Sequence, residues 1–353
     1  MKFNILIFSL VLTLSACNSY VSLENSNSNF LPDASGENNE MLIVMDSTKF
    51  KGKVGRLLVN IYGSYIYGLP QPEPEFDLLY IKPRKFNNIL KYAKNIIIVF
   101  SLEGNSLDSR ILRKEFNKES LNRINLDSSL FMLTKKNQYA NGQNILYLFS
   151  KNDNDLYNKI NKNRDLILKY FKIESLSRTS KKLFSKQEKN ISKQIFDDFN
   201  INLKIPKGYN LATKKDNFIW LRQLEIDYEK NIFIYFEDYT NDEVFRNKNI
   251  EKLRKKISLK YLRDFEKPDI YMTIQKVIPI ITKEITFKNK FSLESKGLWK
   301  LSDISGGGPF HSFVIFDDKK NRLYYLEGYV YAPGTKKRDL MQEISSILQT
   351  FEI

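Results

Sequence analysis

The sequence predicts a two-part fold: an α/β layer on a mixed sheet, followed by an α+β layer on an antiparallel sheet. Three observations carry this. The chain of 353 residues is long enough for two domains of ~150 residues each. In its first half, short apolar runs alternate with stretches of helical periodicity. In its second half, strand-like runs follow one another with helices before, between and after them.

Taken in order, MLIVMD (41–46) is a buried-type strand. Val54, Leu57, Leu58, Ile61 and Tyr65 then recur at helical spacing over 53–66, with Gly52 and Gly55 at the turn into that helix. GLPQPEP (68–74) is neither helix nor central strand, because each Pro lacks a donor and restricts the residue before it. FDLLYI (76–81), NIIIVF (95–100), LFML (130–133) and NILYLF (144–149) are further strands. Phe86, Ile89 and Leu90 mark a short helix, and helices are expected over 108–121 and 153–171. In the second half an amphipathic helix over 178–199 turns Leu183, Ile191, Ile195 and Phe199 inward. INLKIP (201–206), FIWLRQLEI (218–226) and NIFIYFEDY (231–239) are strands, and 244–263 is a helix. Residues 281–301 form a hairpin turning near Asn289, 311–332 a second turning at 317–321, and 336–350 the last helix. The expected organisation is 1–16 signal peptide, 17–40 lipidated Cys and tether, 41–175 α/β domain and 176–353 α+β domain.

The N-terminus reads as an address. Lys2 precedes a short apolar core, and no apolar run reaches the ~18 residues that span a bilayer. Leu14-Ser15-Ala16-Cys17 resembles a bacterial lipobox, which implies cleavage before Cys17 and acylation of its thiol and new amine. Cys17 is the only Cys in the chain, so no intramolecular disulfide framework exists. Two or three acyl chains make a stable anchor, whereas one does not. Asn18 is not the Asp of an inner-membrane retention signal, so the expected location is the periplasmic face of the outer membrane. Residues 18–40, rich in Asn and Ser, read as a flexible tether.

Charge excludes less than it suggests. There are 56 Lys+Arg against 41 Asp+Glu; loss of Lys2 with the signal leaves 55 against 41, near +14. Ala occurs six times while Lys, Asn, Ile and Phe abound, the mark of A/T-rich codons. With Lys spread along the chain and export expected, nucleic acid is not an expected partner. The bilayer is, through acylated Cys17, with an envelope protein or an anionic lipid as a further partner. Lys248, Lys252, Lys255 and Lys256 share one helix face, opposite Leu253, Ile257 and Tyr261. Lys336, Lys337 and Arg338 stand at the start of the last helix, where cations oppose its dipole.

Five segments carry a family resemblance: GLPQPEPEFDLLYI (68–81), IPKGYNL (205–211), NFIWLRQ (217–223), GLWKLSDISGGGPFHSF (297–313) and YLEGYVYAPGTKKRD (325–339). Together they resemble the uncharacterised lipoproteins catalogued as domain of unknown function 4837, a resemblance that implies no activity. The order of elements over 178–353 is similar to PsbP-like domains, which are mostly binding or assembly modules.

Catalytic motifs are missing: no G-x-S-x-G, H-E-x-x-H, Walker A or G-x-G-x-x-G occurs. With one His and one Cys, neither a metal site nor a cofactor is expected, and no catalytic residue is assigned. Gly306, Gly307 and Gly308 could bind an anion through consecutive N–H groups, or simply make a tight connection before His311. Ser305 and Ser312 are the serines nearest His311. The three prolines of 68–74 hold Gln71 and Glu73 rigidly. Glu73 with Glu75, or Asp238 with Asp242 and Glu243, are the carboxylates an acid–base pair could use. Trp220, Arg222 and Trp299 could form a cation–π platform. The expected function is a membrane-anchored, non-catalytic binding or assembly factor. The alternatives are a carboxylate-dependent enzyme acting on envelope glycan or lipid, and a transport-accessory or structural lipoprotein.

Overall fold

A computed structural model of the chain describes residues 22–24, 31–246, 250–263 and 266–353. Cys17, the expected signal peptide and Lys248 lie outside the described residues.

The first half is a six-stranded mixed sheet sandwiched between helices. Its strands are β1 (Ser22–Glu24), β2 (Glu40–Met45), β3 (Asp77–Ile81), β4 (Asn95–Ser101), β5 (Met132–Lys136) and β6 (Asn144–Ser150), in the order β1-β5-β6-β4-β2-β3. Only the β5–β6 pairing is antiparallel. The apolar runs of β4 and β6 are buried throughout because both faces of the sheet are covered. Met45, Val99 and Leu148 face α2 (Lys53–Tyr62), α5 (Asp153–Lys162) and α6 (Arg164–Leu183). Val44, Ile98 and Tyr147 face α3 (Leu107–Arg113) and α4 (Lys118–Leu126). A short α1 (Ser47–Lys51) leads into α2.

The second half is an eight-stranded antiparallel sheet. Helix α7 (Lys189–Phe199) precedes β7 (Asn210–Lys215), β8 (Phe218–Leu224) and β9 (Glu229–Asp238). After α8 (Glu243–Arg246) and α9 (Glu251–Tyr261) come β10 (Met272–Gln275), β11 (Ile281–Phe287), β12 (Lys290–Leu301), β13 (Gly307–Asp317), β14 (Arg322–Tyr331) and α10 (Arg338–Leu348). The order is β10-β12-β13-β14-β9-β8-β7, with β11 also on β12. Helices α7 and α10 cover one face through Ile195, Ile344 and Ile347, and α9 covers the other through Leu253 and Ile257. The β11–β12 hairpin turns at Lys288 and Asn289, both at positive φ (46° and 66°), as a two-residue hairpin turn requires.

Several expectations are corrected. Residues 31–39 are not a free tether: Ala34 N–H donates to Asn141 O (2.8 Å), and Ser35 N–H donates to Tyr92 O (2.8 Å), laying this stretch against the first sheet. INLKIP does not form a strand. It buries Ile201, Leu203 and Ile205, but its backbone pairs only at single bridges, Asn202 with Glu352 and Pro206 with Gln187. The helix expected over 178–199 is broken between Leu183 and Lys189, and α6 runs unbroken through 172–178.

Candidate functional site

The two halves meet along a polar seam built by α6 and α10. Both oxygens of the buried Glu73 carboxylate accept backbone N–H groups at the start of α10, from Lys337 (2.7 Å) and Arg338 (2.9 Å). This is the N-cap that α10 lacks from its own flank, supplied by the other half of the molecule. Arg338 reaches back to Pro74 O (3.1 Å) and Asp77 (2.9 Å), and Lys337 Nζ donates to Gln71 (3.0 Å). Asn39 donates to Asp339 (2.7 Å) and Gln342 (3.0 Å), and Gln342 donates to Ser175 (2.7 Å). Gln71, Glu73, Lys337 and Arg338, singled out in two separate segments of the sequence, thus bind one another. The cations that oppose the α10 dipole are offset by the Glu73 carboxylate. Lys336 is exposed.

Beside this clasp the seam opens into a cavity of about 320 Å³, at the small end of ligand-pocket size. The first half contributes Ile66–Leu69, Phe76 and the α6 residues Ile173 and Leu176; the second contributes Phe310 and Met341. Gly68 is left-handed (φ +90°), and the Cβ it lacks would sit 3.6 Å from the Lys296 side chain. Glycine here turns the Pro-rich loop tightly against β12. On the polar side, Lys172 pairs with Glu75 (2.5 Å) and Lys296 with Glu294 (3.1 Å).

His311 lies in the cavity wall, buried (3% exposed). Residues 294 and 296 of β12 and 311 of β13 project toward α10, because side chains alternate along a strand. His311 Nε2 is 2.8 Å from Glu294 Oε1, and Nδ1 is 2.9 Å from Ser345 Oγ on α10. Burial pushes the His311 pKa below 6.5, with Glu294 opposing. The hydrogen bond from His311, helped by Lys296, takes Glu294 down to about 2. At neutral pH the imidazole is therefore neutral and the carboxylate ionised. That fixes the tautomer: Nε2–H donates to Glu294, and Nδ1 accepts the Ser345 hydroxyl.

The other sequence candidates fall elsewhere. Gly307 and Gly308 are extended residues of β13, paired with Lys300 and Trp299. A Cβ on Gly308 would lie 2.0 Å from Val330 O, and one on Gly307 would lie 2.9 Å from Trp299 O. Close strand approach, not an anion nest, explains them, and the turn's left-handed residue is Ile304 (φ 60°). Ser305 bonds Asp303, and Ser312 is buried one residue out of phase with His311. Arg222 stands over Trp220 (5.9 Å) and pairs with Glu229, while Trp299 is buried on β12 and bonds Val330 O, so the three form no common platform. Asp242 pairs with Arg246 and Glu243 with Lys252. Among the described residues no group of three or more His, Cys, Asp or Glu could hold a metal, and no helix is long and apolar enough to cross a membrane.

The opposite end of the first sheet deserves comparison, because doubly wound sheets bind ligands where strand order reverses. That point lies between β2 and β4. There Asp46 takes the Ser106 hydroxyl and Lys49 bonds Ser101 (2.8 Å) and Asp153, so these groups serve one another. Glu294, Lys296, Lys172 and Ser345 were not foreseen. Strand alternation alone puts 294 with 296, but only the β12–β13 register brings them to His311.

Residues 188–350 match the family described as domain of unknown function (DUF4837), and residues 34–184 match a second, DUF8532. The first match lies in the C-terminal half and covers less than half of the chain, and the Pro-rich motif at 68–81 falls within the second. No curated protein matches the chain. Among solved structures, the Saccharomyces cerevisiae Ran-binding protein Mog1p is similar at 10% identity and a TM-score of 0.28, over 43% of this chain and 89% of its own. The human StarD13 (DLC2) lipid transfer and protein localization domain is similar at 13% identity and a TM-score of 0.21, over 46% of this chain and 95% of its own. Likenesses this weak carry no argument about function.

Proposed function

We propose that the protein is a cell-envelope lipoprotein, anchored through acylated Cys17, that binds a small amphipathic molecule between its two halves. One observation supports this above the others: the seam cavity joins an apolar wall to a charged one. Ile66, Leu69, Ile173 and Met341 offer apolar surface. Lys172 and Lys296 stand at its edge with side chains 48% and 47% exposed, so each can exchange its carboxylate partner for an anionic headgroup. Burial of the ligand's chain supplies affinity at ~25 cal/mol per Å², and the lysines orient it. The carboxylate-pair enzyme is less well supported. Glu75 and Glu294 both line the cavity, but Glu294 is pushed down, whereas a general acid needs a raised pKa.

The test is a titration of the Cys17→Ala protein with a fluorescent dodecanoate. Saturable binding, weakened tenfold or more by Lys172→Glu with Lys296→Glu and blocked by Leu176→Trp, is expected. A folded protein with no saturable binding defeats the reading. In cell fractionation, wild type is expected with the membranes and Cys17→Ala with the soluble fraction.

A further inference from the structure

We infer that Ser345 is an activated nucleophile, with His311 as its base, for acyl transfer from an ester whose apolar part occupies the seam cavity. The inference rests on the amphiphile reading for its substrate class but not for its chemistry. Three features of the relay carry it. The groups stand in the order hydroxyl, imidazole, carboxylate, at 2.9 Å and 2.8 Å, the connectivity that activates a serine. Glu294, as a positioning residue, holds the imidazole in the tautomer whose free nitrogen faces the hydroxyl. Both His311 and Ser345 line the cavity, with Phe310 and Met341 beside them. A purely structural His–Ser contact has no need of a cavity on the hydroxyl side.

The step balances without an outside oxidant or reductant. Ser345 Oγ bonds to the ester carbonyl carbon as its proton passes to His311 Nδ1. The carbon–oxygen bond to the leaving alcohol breaks, and that alkoxide takes the proton back from Nδ1. Water then adds to the acyl carbonyl, losing a proton to Nδ1, and Ser345 leaves with it. The sum is ester plus water to acid plus alcohol. Lys296, whose ammonium is 3.1 Å from Glu294 Oε1, stands at the carboxylate end of the relay and not beside the Ser345 hydroxyl. Ser345 lies inside α10, where backbone N–H groups are used by the helix itself. With no backbone oxyanion hole there, turnover is expected to be slow and acylation is the step to measure.

The experiment treats the Cys17→Ala protein with an alkyl fluorophosphonate and maps the adduct by mass spectrometry. One adduct is expected on residues 339–353, lost in Ser345→Ala and kept in Ser346→Ala, since buried Ser346 donates instead to Gln342 O. His311→Gln should slow labelling at least 100-fold, in line with general-base catalysis, and Glu294→Gln about tenfold. In wild type the labelling rate should be flat above pH 6.5 and fall below the His311 pKa. A structural role for Glu294 would leave that profile unmoved. Circular dichroism identifies variants that have not folded, and the Ser345→Ala comparison stands without them. Labelling without dodecanoate binding supports the nucleophile and removes the amphiphile. Dodecanoate binding without labelling, or labelling indifferent to His311 and Glu294, overturns the nucleophile.

Discussion

Glu73 caps a helix that begins 265 residues later in the chain, its Oε2 accepting the N–H of Arg338 at 2.9 Å. With the matching bond from Lys337, one buried carboxylate holds the two halves in register and neutralises the start of α10. Glu73→Ala leaves the two backbone N–H donors of Lys337 and Arg338 without their acceptor. A loss of about 2 kcal/mol is expected, the upper end for a cap. Glu73→Gln keeps one acceptor oxygen and should lose less. Urea unfolding of the three proteins checks the order.

Stability should fall with acid in two stages. Burial holds the His311 pKa below 6.5 in the folded state, so the unfolded chain takes up that proton first and stability declines as pH drops below 6.5. Glu294, lowered from 4.5 to about 2, contributes fully above pH 4.5, and its contribution is lost as pH falls from 4.5 toward 2. The ceiling on that contribution is about 3 kcal/mol. Melting temperature against pH should show both stages in wild type, with the lower one flattened in Glu294→Gln.

Arg254 and Glu327 form a bidentate ion pair (2.8 Å twice) with side chains 1% and 0% exposed. Arg254 also lies over the Phe310 ring at 4.7 Å, and Phe310 lines the cavity. Arg254→Met alone strands a buried carboxylate and should cost about 3–5 kcal/mol, whereas Arg254→Met with Glu327→Leu should recover most of that loss. Chemical denaturation of the single and double variants measures the difference.

Within the glycine run, Gly308→Ala should cost at least about 2 kcal/mol, because its Cβ meets the Val330 carbonyl at 2.0 Å. Gly306→Ala meets side chains and no backbone, Leu301 at 3.3 Å and Tyr331 at 3.6 Å, and should fold nearly as wild type. Soluble yield and melting temperature distinguish the two.

What the sequence could and could not announce follows from how far each signal reaches. β4 and β6 were legible because central parallel strands are apolar on both faces, and the 288–289 turn because a hairpin is local. β7 was missed because its edge position leaves Asn210, Ala212, Lys214 and Lys215 exposed, so no apolar pattern marks it. INLKIP misled for the opposite reason: Ile201, Leu203 and Ile205 alternate as in a strand, yet they pack into the core without a ladder to join. The Pro-rich loop and the Lys336–Arg338 cluster were each visible as anomalies. That they answer one another depends on docking two domains, which no local pattern encodes. Ser345 looked like any helix-surface polar residue until β13 placed an imidazole against it.

The position of α10 also dictates an order of assembly. A chain emerging N-terminus first, from a ribosome or a translocation pore, can complete its first sheet early. Yet α6 then presents Ile173 and Leu176 beside an uncompensated Glu73 until residues 338–349 arrive. The segment that closes the seam emerges long after α6, so a nascent chain that has not yet reached α10 carries a half-built pocket with its sticky wall in view. That exposed wall gives chaperones and proteases a direct way to tell an unfinished molecule from a finished one.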